Sequence, residues 1–220
     1  SQLRLQIEEF DLALADVNRA LELAPRSNRS RLLRISIYVS QGKLGEAIAD
    51  LQELARRHPE NLELKIQLAD LYRLDRQPDA TLDLYDKILA ADPENMHAHR
   101  GRADALLNVG KQAQAIKSYE AALKLAPEDS GILNNLAWVL ATSPDDQLRN
   151  GQRSLELATR GCEVTEYQAA HILSTLAAAH AELGNFDKAI ENSTQAVENG
   201  SEEMKGQLQK ELDSYQQNQP

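Results

Sequence analysis

Between residues 96 and 126, small or apolar side chains recur three and four positions apart, in two bursts. Ala98, Ala103, Leu106 and Leu107 form the first; Ala115, Ile116, Tyr119, Ala122 and Leu123 form the second. Such spacing gives each of two helices one buried face. Gly110 falls between the bursts, where a helix end favours a residue that can take positive φ. Pro127 follows the second burst and cannot continue its helix. Asn95 and Asp129 precede polar–apolar runs and are suited to N-cap the helices that follow.

The pattern returns along the chain. Pro25, Pro59, Pro93 and Pro127 stand at successive steps of 34 residues. Four further rows keep the same step: Ala13, Ala47, Thr81 and Ala115; Ala20, Leu54, Ile88 and Ala122; Ile35, Ala69, Ala103 and Ala137; and Tyr38, Tyr72, Leu106 and Leu140. Gly42 and Gly184 punctuate their units as Gly110 does, and Asn61 holds the capping position of its own. Each period is therefore predicted to be a helix pair. Alanine sits where two backbones approach, and a larger neighbour fills the adjacent gap. The predicted class is all-α.

A helix pair repeated every 34 residues, with these residues at these places, resembles the tetratricopeptide repeat. Residues 96–127 match its pattern through Ala103, Leu106, Gly110, Ala115, Ala122 and Pro127. The resemblance extends over essentially the whole chain. It implies a right-handed superhelical solenoid of antiparallel helix pairs, closed by a C-terminal capping helix. On this register residues 1–27 are a partial repeat, 28–61, 62–95 and 96–129 regular repeats, 130–166 a repeat with a lengthened turn, 167–200 a repeat and 201–220 the cap. Residues 1–6 are expected to be the remnant of a first helix, with further repeats or another domain upstream.

Three departures carry information. Arg76 stands where glycine is usual, with Pro78 two residues on and Thr81 in place of alanine. The fifth unit runs from Leu136, Ala137 and Leu140 into Ser143-Pro144-Asp145-Asp146, and its second helix resumes after Asn150-Gly151 with Ser154, Ala158 and Gly161. About five residues are inserted there, which repeats accommodate in a turn. After the regular Leu176, Ala177, Gly184, Phe186, Ala189 and Ala196 comes Ser201, a candidate N-cap. Met204, Leu208, Leu212 and Tyr215 then form the single apolar stripe expected of a terminal cap.

Composition narrows the function. The 34 acidic and 24 basic side chains leave a net charge of −10, which repels nucleic acid and anionic membrane surfaces. The longest wholly apolar run, Leu136 to Ala141, is six residues, against roughly 20 for a membrane span. A single cysteine, Cys162, excludes an internal disulfide and reads as a packing residue. It also favours a cytoplasmic location as the default. No phosphate-cradling glycine loop, nucleophile elbow or His-Glu-x-x-His pair occurs. His97 and His99 are roughly 200° apart around a helix and cannot share a metal. His58, His171 and His180 stand alone, and all five histidines read as surface or groove-edge imidazoles. Asp145-Asp146 and Glu202-Glu203 read as helix-start carboxylates that complement the dipole. The chain is expected to be non-catalytic, without cofactor or metal.

What remains is binding. The resemblance implies that the first helix of each unit lines an extended concave surface. That places Arg29, Ser36, Glu63, Gln67, Asp70 and Arg73 there, followed by His97, Arg100, Asp104 and Asn108, then Asn134, Asn135 and Trp138, and last His171, Ser174 and Thr175. Trp138 is the only tryptophan, and an exposed indole is a typical recognition anchor. Asn134 and Asn135 offer donors and acceptors to a peptide backbone. A carboxylate clamp of the kind some family members use is supported only by Arg100 and Asn135, while Asp104 would repel a terminal carboxylate. RNA binding is disfavoured by three arginines set against three acids. The expected function is an adaptor or scaffold, acting as a monomer, that holds a peptide segment or helix of a partner protein with affinity of about −8 kcal/mol, in the micromolar range. Self-assembly, and a regulatory segment attached to a separate catalytic domain, are the alternatives.

Overall fold

The computed structural model describes residues 2–219, with side chains from Glu9 onward. Ser1 and Pro220, the outermost residues of the expected partial repeat and cap, lie outside the described residues. Twelve α-helices and no strand are found among the described residues. They fall into two compact units, one ending at Pro93 and one beginning at Glu94.

The first unit contains α1 (Gln2–Leu23), α2 (Asn28–Ser40), α3 (Leu44–Arg57), α4 (Leu62–Leu74) and α5 (Pro78–Ala91). α1 is a single 22-residue helix with no turn separating residues 2–6 from the stretch around Phe10 and Ala13. The second unit contains α6 (Met96–Asn108), α7 (Gln112–Leu125), α8 (Ser130–Thr142), α9 (Gly151–Val164), α10 (Ala170–Glu182), α11 (Phe186–Asn199) and α12 (Glu202–Gln216). From α2 to α11 the helices alternate between 13 and 14 residues, and α2, α4, α6 and α8 start at residues 28, 62, 96 and 130, so up to α8 the 34-residue sequence step is a structural step.

The local chemistry explains the boundaries. Side-chain oxygens of Asn61, Asn95 and Asp129 accept from the backbone N–H groups of Leu64, Ala98 and Ile132 at 3.1, 3.0 and 2.9 Å, closing the starts of α4, α6 and α8. Gly42, Gly110 and Gly184 take φ of 70°, 74° and 73° at the turns inside their helix pairs. Arg76 occupies the same left-handed region at φ 56°, so the departure from glycine changes the side chain and leaves the turn in place. Thr81 fits where alanine is usual because its hydroxyl, on a fully buried residue, donates to the Gln77 carbonyl at 2.8 Å. Ser201 sits at the N-cap of α12, but its side chain makes no capping hydrogen bond; its backbone carbonyl receives the Lys205 N–H instead.

Packing follows the rows. Ala47, Ala69, Ala103, Ala115, Ala122, Ala137, Ala177 and Ala189 are completely buried, as close helix contact requires. In the first unit Ile35, Ile48, Leu51, Leu54, Leu64 and Leu68 complete an apolar cluster. Beside it lies a buried charge, Asp50, which accepts from Arg31 at 2.6 Å and from Arg34 at 2.6 and 2.7 Å. Arg34 also donates to Asn18 and lies over the Tyr38 ring.

In the second unit α10 packs against both α8 and α9, and α12 packs against α11 and α10. Tyr215 joins Ala177, Ala181 and Ala189 in a common cluster, so α12 covers the apolar end of the last helix pair. The α8–α9 connection, residues 143–150, is eight residues long where the α6–α7 connection has three. The five extra residues are an ordered turn. Arg149 donates to the Ser143 carbonyl at 3.1 Å and to Glu182 at 3.0 Å, and pairs with Asp146 at 2.6 Å. Asp145 and Asp146 therefore belong to this turn and not to a helix start, which corrects the sequence expectation. Glu202 and Glu203 do occupy the first turn of α12.

Candidate functional site

A cleft of about 480 Å³ opens in the second unit among α8, α10 and α12. Helical spacing explains which side chains reach it. Asn134, Asn135 and Trp138 lie on one face of α8, and His171, Ser174 and Thr175 hold the corresponding face of α10. The third wall is α12, with Glu203, Gln207 and Glu211 at steps of four, joined by Met204 and Leu208.

A chain of hydrogen bonds fixes the floor. The buried Thr175 hydroxyl lies 2.8 Å from Asn134 Oδ1 and 3.1 Å from the His171 carbonyl. Asn134 donates to Asn135 Oδ1 at 3.1 Å. Asn135 donates to Asp104 at 3.3 Å, with the Tyr119 hydroxyl oxygen at 3.4 Å. Tyr119, fully buried, donates to the same Asp104 oxygen. Burial and the adjacent Asp104 carboxylate both raise the phenol's pKa far above its ordinary value. Each asparagine amide keeps one N–H that the network does not use, so the pair can donate to a ligand while being held by the fold. At the other wall Ser174, itself buried, donates to Glu211 at 2.6 Å, and Gln207 donates to the second oxygen of the same carboxylate at 3.0 Å.

Trp138 is 38% exposed, and its placement has a repeat-level cause. One and two periods earlier, the equivalent positions are Asp104 and Asp70, which accept from Tyr119 and Tyr85. At the next repeat the aspartate becomes Trp138. Allowing for the five inserted residues, the tyrosine becomes the fully buried Ala158. Each of these position pairs thus combines one large ring with one small side chain, and in the α8–α9 pair the ring stands on the first helix, where it lines the cleft.

The other expected residues are not gathered there. His97 and Asn108 are at opposite ends of α6, outside the cleft lining. Arg100 pairs with Asp129 at 3.4 Å, its guanidinium lying against Gly131. Arg73 belongs to the first unit, 3.6 Å from Asp70. Tyr119 and the α12 wall are not among the site residues expected from the sequence. The α12 wall was legible: if Leu208, Leu212 and Tyr215 face inward, Glu203, Gln207 and Glu211 form a separate face.

His180 corrects another expectation. It is only 8% exposed, with Nδ1 unpartnered. Its pKa is lowered first by burial and then by Lys188, with Glu191 acting in the opposite direction. Cys162 is fully buried, and burial pushes its thiol up to about 12, which makes it a packing residue. Among the described residues no cluster of three or more His, Cys, Asp or Glu side chains could hold a metal ion, and no helix is long and apolar enough to cross a membrane.

A sequence model described as tetratricopeptide repeat matches residues 1–62, 35–96, 66–130 and 100–148. Sperm-associated antigen 1 of Mus musculus is 26% identical over 136 residues, covering 60% of this chain but only 15% of that protein. The yeast Tom70 structure superposes with a TM-score of 0.70 at 18% identity, covering 92% of this chain and 42% of that one. YrrB, described as a tetratricopeptide-repeat protein with an unusual peptide-binding site, superposes with a TM-score of 0.65 at 16% identity, covering 89% of this chain and 98% of that one. At these identities the solved structures show a shared fold.

Proposed function

The chain belongs to the tetratricopeptide-repeat family, a fold that serves as a protein–protein interaction scaffold and is generally non-catalytic, and on that premise we propose that it is an adaptor holding an extended segment of a partner protein in the α8–α10–α12 cleft. One observation carries the reading. A partly exposed indole stands beside two asparagines that are held by the fold yet retain free N–H groups. An aromatic anchor supplies contact area, and fixed amides meet a peptide backbone without loss of rotamer freedom. YrrB, by its description, shares the fold and binds peptide at an unusual site. A segment seated here would lie along the polar floor with an apolar residue or stem against Trp138.

The test is affinity capture with the full chain and four single variants. His171→Ala and Gln207→Ala truncate exposed cleft residues, while His97→Ala and Asn108→Ala truncate residues outside it. All four should leave stability within about 0.5 kcal/mol. Proteins captured by the wild type should be lost or depleted with the first pair and retained with the second. Retention with the first pair and loss with the second would move the docking surface away from this cleft.

A further inference from the structure

The charge distribution of the cleft specifies more than a generic peptide. Two carboxylates line it, Glu203 and Glu211, and among the described residues no lysine or arginine does. Glu211 is held in place by Ser174 and Gln207, neutral donors that orient the carboxylate without discharging it. No cation within 4.0 Å is paired with it or with Glu203 among the described residues, whereas carboxylates elsewhere on the helices pair repeatedly with arginine or lysine. The indole of Trp138 lines the same cleft, and the π-face of an indole attracts cations. The net charge of −10 draws a cationic segment from a distance.

Resting on the cleft reading above, we propose that the site takes an arginine side chain of the partner segment, its planar guanidinium stacked on Trp138 and forked onto Glu211, with Glu203, about two helical turns away on α12, adding negative charge to the same cleft. Arginine fits better than lysine because a delocalised planar cation stacks on an indole and presents paired donors to carboxylates, whereas a compact ammonium does neither. The Asn134 and Asn135 amides would meet the backbone carbonyls flanking that arginine.

The experiment uses the full chain and three defined probes: N-acetyl-arginine N-methylamide, its neutral citrulline isostere and the glutamate counterpart. Because Trp138 is the only tryptophan, its indole Nε1–H gives one NMR cross-peak, which reports the cleft directly. The arginine probe should shift that peak saturably and bind about fivefold more tightly than citrulline. The double variant Glu203→Gln, Glu211→Gln should remove that advantage. The amide oxygen that Glu211→Gln introduces can still accept from Ser174, and an unaltered circular dichroism spectrum checks the fold. Equal affinity for arginine and citrulline, preference for glutamate, an arginine advantage that survives the double variant, or no response to arginine would each overturn the inference. A response to citrulline alone would do so while leaving the cleft reading intact, since that reading fails only if capture ignores the cleft variants.

Discussion

Truncating Trp138 to alanine separates a docking surface from a core residue by magnitude. A covered tryptophan buries roughly 150–250 Å². With 38% of Trp138 exposed, about 60% of that area is covered, on the order of 120 Å². At about 25 cal/mol/Å², this corresponds to roughly 3 kcal/mol. Alanine retains part of the contact and the unfolded chain already hides some apolar surface, so the expected loss is about 2 kcal/mol. Trp138→Phe should lose about 1 kcal/mol or less. Urea denaturation followed by far-ultraviolet circular dichroism measures both, and hydrogen exchange in α8 and α9 localises the effect to the second unit. A loss below about 0.5 kcal/mol would mean that the indole hangs free of α8's neighbours. A loss above about 4 kcal/mol would mean that it is sealed between helices, and either result would refute the half-covered anchor inferred here.

Three other outcomes follow from the packing. Asp50→Ala should destabilise the first unit by about 3 kcal/mol in urea denaturation, because it strands two arginine side chains that are 12% and 21% exposed; Asp50→Asn should lose less. Arg76→Gly should stabilise by roughly 0.5–1 kcal/mol, since glycine relieves an L-residue at φ 56° at a smaller entropic penalty; an unchanged thermal midpoint would count against that strain. His180 is held neutral, with a folded-state pKa below its ordinary 6.5. The folded state thus binds fewer protons than the unfolded chain. Its stability contribution is complete above about pH 6.5 and is lost as pH falls below that value toward the folded-state pKa. His180→Leu should make the decline in urea midpoint between about pH 7.5 and 5 shallower than in the wild type.

The helix pairs were legible because their causes are local. Alanine rows, turn glycines and Asn or Asp caps recur at a fixed step, and each acts within its own period. Even the insertion was countable, because Ala137 and Ser154 lie in the same rows as residues of regular units. The site was legible only as a face. Spacing placed Asn134, Asn135 and Trp138 together, but it could not show that the asparagines are tied to Thr175 and Asp104, since those contacts span 41 and 31 residues. Tyr119 looked like core and is also the donor that anchors Asp104. His180 read as a groove-edge imidazole, yet it is covered because its helix, α10, is buried on nearly all sides. That is a property of tertiary packing, which the spacing along one helix does not carry.

The central claim, that the cleft beside Trp138 is where the partner segment lies, is tested most directly by acrylamide quenching of the single tryptophan's fluorescence. Free protein should quench at an intermediate rate, as a partly exposed indole does, and saturation with a captured partner segment should shield it. Quenching that is identical with and without saturating partner would contradict the claim.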